Sequence, residues 1–555
     1  MHGGSNEAHA PRPDLGHLKK QAKELLALCR GNDPAATARF REALPAAAGK
    51  SDAAIAALGL RLHDAQSCIA REYGFLSWAD LQGFVLARRS QADDPAKAVL
   101  QWLRLVYAGD IAGGVNRARP ALALRLLEES PGLLGDDPIL ACAIGNEAPI
   151  RQAIERDAGW MNRAGGPLSL PPLVAVAHSG LLQMPDYQER LRNCAKLLLD
   201  AGADPNQSAG NRWPPASLAA PDETERLSAL YGAAGQNRDA ALTRLLLDAG
   251  ADPNDGESLY HSLETPTCTR LLLEAGARIA GTNALGRVLD LDDIDTLRLL
   301  LAHGGNANEP PMGPSTSDWG SPLLWAIRRR RSPAHIEALL AAGADPKATT
   351  RDGTSAYVAA LRFGLPEVAS LLQEAGGAAA LPVDEAFIAA CARGDEAAAR
   401  AIQASHPDIV GSLSQAQLRL LPELAAQGCA DAVKLMIRLG WPIATRGGDW
   451  DASALNKAVF RGDASLVRFL LEHGASWEER HGFGDNACGG LSWASCNEPE
   501  GEGDWLGCAE ALVAHGMPTA RPDPESPDSV LVGGQRYVFS DEVTDFLLGA
   551  SATRS

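Results

Sequence analysis

The chain has 555 residues, 51 Lys and Arg against 69 Asp and Glu, a formal charge of −18, and a composition that is 46% hydrophobic but only 5% aromatic. Such acidity argues against nucleic acid or an anionic membrane as the default partner, because binding to backbone phosphates needs a basic footprint. Ala and Leu supply the apolar mass, which suits closely stacked small helices rather than one bulky core, and no uncharged run reaches the length of a membrane span.

Residues 1 to 13 read as a disordered start. The stretch MHGGSNEAHAPRP lacks the basic and apolar segments of a signal peptide, so the expected location is the cytoplasm. Residues 14 to 90 form a separate helical module. Its first helix, marked by Leu18, Leu25, Leu26 and Leu28, should end at Gly31-Asn32-Asp33-Pro34, and its last (ADLQGFVLARR) should run into the polar linker Ser90 to Pro95. Within it, AAAGKS at Ala46 to Ser51 ends like a phosphate-binding loop, but Leu44 stands where the first glycine belongs and no strand precedes it. From 96 to 136 the helices are degenerate. A clear helical alternation begins at the cap Asp137-Pro138, followed by a helix from Ile139 to Gly145, and continues to about residue 520. The last segment, 521 to 555, reads as a linker and a closing cap. VLVGGQRYVF has strand composition around Gly533-Gly534, and Ser540 should cap a helix that turns Val543, Phe546 and Leu547 to one face.

Inside the alternating region, LLLDAGADPN occurs twice unchanged, at Leu197 to Asn206 and Leu245 to Asn254, with weaker copies from Leu271, Leu299, Leu339 and Phe469. The glycines after the leucine runs are Gly202, Gly250, Gly276, Gly304, Gly343, Gly376, Gly440, Gly474 and Gly516. Their cleanest steps centre near roughly 33 residues. An apolar run at helical spacing followed by Ala-Gly or His-Gly predicts a helix with a left-handed C-terminal cap, and Asp-Pro-Asn then opens a turn. Upstream of each run lies a shorter helix. Gly353 to Gly364 (GTSAYVAALRFG), Ser321 to Ala326 (SPLLWA, with Leu324 for His) and Ser453 to Gly462 (SALNKAVFRG, with Ala454 for Pro) resemble the ankyrin repeat pattern GxTPLHxAxxxG. The resemblance covers roughly residues 137 to 520 in about ten to twelve units. It implies an all-α ankyrin-repeat solenoid of stacked helix-turn-helix units, with the helical module at residues 14 to 90 as an N-terminal cap domain. The module's segment DAQSCIAREYGFLSWADLQGF resembles one that heads some bacterial ankyrin proteins. Insertions at Gly180 to Asn193 and Ser495 to Cys508 lengthen the turn inside a unit, and Glu309 to Gly320 lengthens a connection between units.

A catalytic set is not apparent, and neither cofactor nor metal is expected. Ten cysteines are scattered singly and read as reduced, small apolar residues. His481, Asp485, Cys488, Cys496 and Cys508 gather near the last insertion, but none of these cysteines pairs at the spacing of a zinc site. GEGDWLG at Gly501 to Gly507 has the wrong glycine spacing for a dinucleotide turn. The candidates are therefore for binding a protein partner. Aligning units on the glycine that ends the shorter helix brings Arg328, Arg329, Arg362, Phe363, Arg393, Phe460 and Arg461 into one column, which in ankyrin proteins lines the concave face. Either the stripe recognises a carboxylate-rich or aromatic segment, or each Arg relaxes a helix C-terminus. The run Arg328 to Arg331 requires something acidic opposite it. Trp319, Trp450 and Trp213 fall in connections between units and are either interface anchors or plugs between adjacent fingers, whereas Trp325 and Trp493 share a helix position that reads as core. The expectation is a monomeric, non-enzymatic scaffold or adaptor for a protein of unknown identity. The alternatives are an inhibitor or immunity-type protein that blocks one target, or a metal- or thiol-dependent activity at the Cys488 to Cys508 loop.

Overall fold

The computed structural model describes residues 15–75, 77–91, 94–309, 320–378, 380–497, 503–524 and 529–552. Short helices dominate, and the chain divides into two compact units, Met1–Thr282 and Asn283–Ser555. The expected start at residues 1 to 13, most of the Glu309 to Gly320 insertion and Trp319 lie outside the described residues.

The first unit opens with helices Leu15–Arg30, Pro34–Ala43, Leu62–Glu72 and Trp78–Gln91. Leu18, Leu25 and Leu26 are buried as expected, but Leu28 is 51% exposed, because it sits a quarter turn off the stripe the other three define. The AAAGKS segment forms no phosphate loop. Pro45–Ala47 is a single 3-10 turn, and the Ser51 hydroxyl accepts from Ala54 N to start the next short helix. This module packs against helix Pro120–Glu129: the Arg125 guanidinium lies 4.0 Å from the centre of the Phe75 ring and donates to the Tyr73 carbonyl at 2.8 Å.

Regular alternation begins where Asp137 accepts from Ile139 N and Pro138 occupies the first helical position; Gly145, in the left-handed region, ends that helix. Later repeats keep the helix pair but vary its ends: Pro172–Ala177, for one, stops at His178 in the right-handed region. The nine glycines after the leucine runs all have φ between +84° and +99° (Gly376 and Gly516 at the extremes), a conformation costly for any residue with a Cβ. In the Gly250 turn, Gly250 N bonds Leu247 O and Ala251 N bonds Leu246 O, which satisfies the helix's last carbonyls. Four residues before each glycine stand Leu198, Leu246, Leu272, Leu300, Leu339, Leu372, Met436, Leu470 and Leu512, every one at 0% exposure. Each such side chain stabilises its unit by about 2 kcal/mol through burial. The same turns carry a ladder between units. The Asn206 amide oxygen accepts from Asp252 N at 2.8 Å, Asn254 accepts from Arg278 N at 2.8 Å, and Asn308 accepts from Asp345 N at 2.8 Å while donating to Gly343 O at 2.8 Å. At these three turns the recurrent Asn joins one turn to the next. With the capped helix pairs and the left-handed glycines, it gives the repeats of both units the ankyrin build, in an all-α fold.

The insertion at Gly180 to Asn193 becomes a 3-10 turn, Gly180–Gln183, and an extended second helix, Pro185–Asp200. A second elaboration is a two-stranded antiparallel ribbon, Ser208–Asn211 with Asp222–Ser228. At the end of the second unit the predicted hairpin at Gly533-Gly534 forms between Val530–Val532 and Gln535–Tyr537. A third strand, Ala520–Pro522, joins it from the stretch read as linker and pairs with the backbone edge of Val530–Val532. Ser540 caps helix Asp541–Ala552 through Val543 N at 3.4 Å, with Val543 and Leu547 buried.

Candidate functional site

The second unit opens with the helix pair Ala284–Asp290 and Ile294–Ala302, and the first helices of the repeats that follow are Pro322–Arg328, Ala356–Arg362, Val383–Ala392, Leu420–Ala426, Ala454–Arg461 and Ala487–Asn497. Most end at a left-handed glycine: Gly364, Gly394, Gly428 and Gly462, with φ from +67° to +72°. Arg330 takes that place after helix Pro322–Arg328, at φ +54°. Counting back five residues defines a column of Trp325, Ala359, Ala389, Glu423 and Lys457 beside the expected arginine column, and Trp493 joins it because Ala494 aligns with Ala326, Ala360, Ala390 and Ala458.

The arginine column turns out to be spent inside the protein. Arg328 is only 3% exposed; its Nη2 lies 3.1 Å from Glu423 and 2.7 Å from Asp449. Burial pulls its pKa down, but the two carboxylates outweigh burial and raise it. Arg329 lies 2.7 Å from Asp290 and 4.5 Å over the Trp325 ring, and Arg331 lies 2.8 Å from Asp292. The acidic counterpart that the Arg328 to Arg331 run demands is therefore within the chain, on Asp290, Asp292, Glu423 and Asp449. Arg362 makes two bonds to Glu385, at 2.6 and 2.8 Å. Arg330 donates to the Phe363 carbonyl and Arg461 to the Ala426 carbonyl, each reaching the helix end of a neighbouring repeat. Phe363 is buried. Arg393 keeps a half-exposed guanidinium 3.9 Å from Asp395, beside a cavity of about 340 Å³ shared with Arg330 and Gln427.

The Arg328 contacts also shape the groove. Glu423 is 95 residues away, with two first helices between, so the inner face of this unit bends far enough for the two to meet. Beneath that link lies a cavity of about 500 Å³, lined by Phe363, Leu420, Arg351, Arg362, Arg419 and Asp352 among others.

Aromatic side chains occupy the other end of the groove. Phe460 stacks on Trp493 with ring centres 5.3 Å apart and planes 7° apart; Trp450 lies 5.3 Å from Phe460 and 5.1 Å from His481. Trp493, expected in the core, is 52% exposed, since its position has no later repeat to cover it. Trp325, at the equivalent position, is buried as expected. Trp450 is half-buried, packed against Phe460, His481 and the Lys457 ammonium, 4.1 Å from its ring, so it fills the space between repeats. Burial lowers the Lys457 pKa to about 8 against the opposing pull of Glu423 and Asp449. Phe483, in the loop beside His481, is 81% exposed. Trp213, in the first unit, is 47% exposed between the two ribbon strands.

The side chains near the last insertion engage separate partners: His481 Nδ1 accepts from Phe483 N, Cys496 Sγ donates to Val538 O, and the buried Cys508 thiol is pushed up in pKa by burial. No metal-binding group of three or more His, Cys, Asp or Glu occurs among the described residues. All ten cysteines are free. No helix among the described residues is long and apolar enough to cross a membrane. Sequence reasoning missed Glu385, Glu423 and Asp449. Glu423 was visible in principle, as a carboxylate in the Trp325 column once the units are aligned on their glycines.

No protein-family model and no curated protein matches the sequence. Similar solved structures include the human ASB11 ankyrin repeat domain, 22% identical over 42% of this chain and 99% of that one, with a TM-score of 0.20. An ankyrin repeat domain from Acinetobacter baumannii AYE is 24% identical over 37% of this chain and 97% of that one, with a TM-score of 0.29. The ankyrin repeat domain of Bcl-3, a member of the IkappaB family, is 20% identical over 48% of this chain and 98% of that one, with a TM-score of 0.21.

Proposed function

We propose that the chain is a non-enzymatic scaffold or adaptor that receives a protein partner on the inner face and finger loops of its second unit. The observation that carries this reading is the Phe460–Trp493 stack, with one indole half-exposed on the groove side and Phe483 open beside it. Large exposed aromatics cost free energy in water and contribute most when a partner covers them. Arg328, Arg329, Arg331 and Arg362 contribute by holding the groove's form, because carboxylates of the chain already match their charges. Recognition therefore rests on aromatic contact, with the peripheral charges setting orientation and association rate.

The test is affinity purification from the native cell with the wild-type chain and with Trp493→Ser combined with Phe483→Ser. Both positions are exposed, so the variant keeps its fold. The proposal expects loss of the co-purifying proteins; retention of all of them in wild-type amounts would sink it.

A further inference from the structure

We propose that the cavity under the Arg328–Glu423 link binds a compact organic monocarboxylate with an apolar body, either a free acid or the end of a polypeptide chain. The proposal does not depend on the protein-binding reading. Its volume, about 500 Å³, falls within the range of small-ligand sites. Ala359, Phe363, Ala416 and Leu420 provide an apolar wall, and Arg351, Arg362, Arg419 and Asp352 provide the polar one.

Charge selects the ligand class. Arg328, Arg351, Arg362 and Arg419 line the space together with Asp352, Glu423 and Asp449. Glu385 stands behind Arg362, and Lys457 stands behind Gly448, where a Cβ would come within 3.1 Å of its ammonium. Asp384 shares the Gln417 amide with Glu385, each accepting at 2.7 Å, so cations and carboxylates are interleaved around the cavity.

The pairing of these charges is uneven. Arg328 is held by Glu423 and Asp449, and Arg362 by Glu385. Arg419 is exposed and makes no ion pair among the described residues. Its guanidinium fork matches a carboxylate with two parallel bonds, which a neutral amide cannot reproduce. The exposed Arg351 lines the same cavity. Leu420, the residue after Arg419 and mostly buried, fixes the apolar body beside the charge.

Calorimetric titration of the full chain with N-acetyl-leucine, N-acetyl-leucinamide and acetyl-glycyl-leucine tests this. N-acetyl-leucine should bind, and the amide should bind at least about tenfold more weakly. Arg419→Gln should weaken the acid by about tenfold, and Ala416→Trp, which fills the cavity from an exposed position, should abolish binding. Acetyl-glycyl-leucine binding as tightly as N-acetyl-leucine supports a chain end as the natural ligand, whereas its exclusion supports a free small acid. Three results would overturn the proposal: no binding of either acid up to about 20 mM, equal affinity for acid and amide, or an Arg419→Gln variant that binds like the wild type.

Discussion

Replacing Glu423 with Leu should destabilise the second unit far more than replacing it together with Arg328. Arg328 is 3% exposed and its counterions are Glu423, at 3.1 Å and nearly buried, and Asp449, at 2.7 Å and about a third exposed. Removing Glu423 leaves a buried guanidinium with one water-screened partner, at a cost of about 3–5 kcal/mol. Asp449→Asn removes only the screened partner and should cost about 1 kcal/mol. In Arg328→Met with Glu423→Leu no charge is stranded, and the double variant should lie within about 1.5 kcal/mol of wild type. The coupling between the two sites is then at least about 2 kcal/mol. Long repeat arrays need not unfold in one step, so urea unfolding should be paired with amide exchange on helix Leu420–Ala426, which reports this region directly. Additive effects, with the double variant as unstable as the sum of the singles, would refute the reasoning.

The same geometry carries three further outcomes. Asn308→Ala removes an acceptor from Asp345 N and a donor to Gly343 O, and should cost about 1–2 kcal/mol in urea unfolding, with Asn308→Asp in between because it keeps the acceptor. Lys457 has a folded pKa lowered to about 8 from 10.5, so the unfolded chain binds the extra proton between those values and stability rises with pH across that window. Lys457→Met should therefore gain up to about 3 kcal/mol over wild type at pH 7, a gain that fades as pH climbs from 8 to 10.5; a pH-independent difference would contradict the assignment. Gly474→Ala forces a Cβ into φ +98° at a helix end with no neighbour crowding it, so the cost should be backbone strain alone, about 1 kcal/mol by thermal unfolding.

The repeat was legible because its two structural requirements are written locally. A glycine that must adopt positive φ recurs at each second-helix end, and an apolar residue four positions earlier, at Leu198, Leu246 and their counterparts, is fully buried. The Asn ladder was present in the letters of LLLDAGADPN, but only the turn was read from them, since a bond such as Asn308 to Asp345 spans a whole repeat. The inner face was harder. The arginine column was found in register, yet its counterions Glu385, Glu423 and Asp449 lie one to three repeats away, and which of them meet depends on how tightly the unit bends. Trp325 and Trp493 share one position in the repeat pattern and differ in burial only because the array stops after the second, a fact of position along the stack rather than of local sequence.

Side-chain footprinting of Trp493 and Phe483 by hydroxyl radicals, with and without a purified partner, tests the central claim most directly. The account predicts that both oxidise readily in the free chain, at 52% and 81% exposure, and that bound partner slows both while leaving Trp213 unchanged. Full oxidation of Trp493 and Phe483 in a demonstrated complex would contradict it.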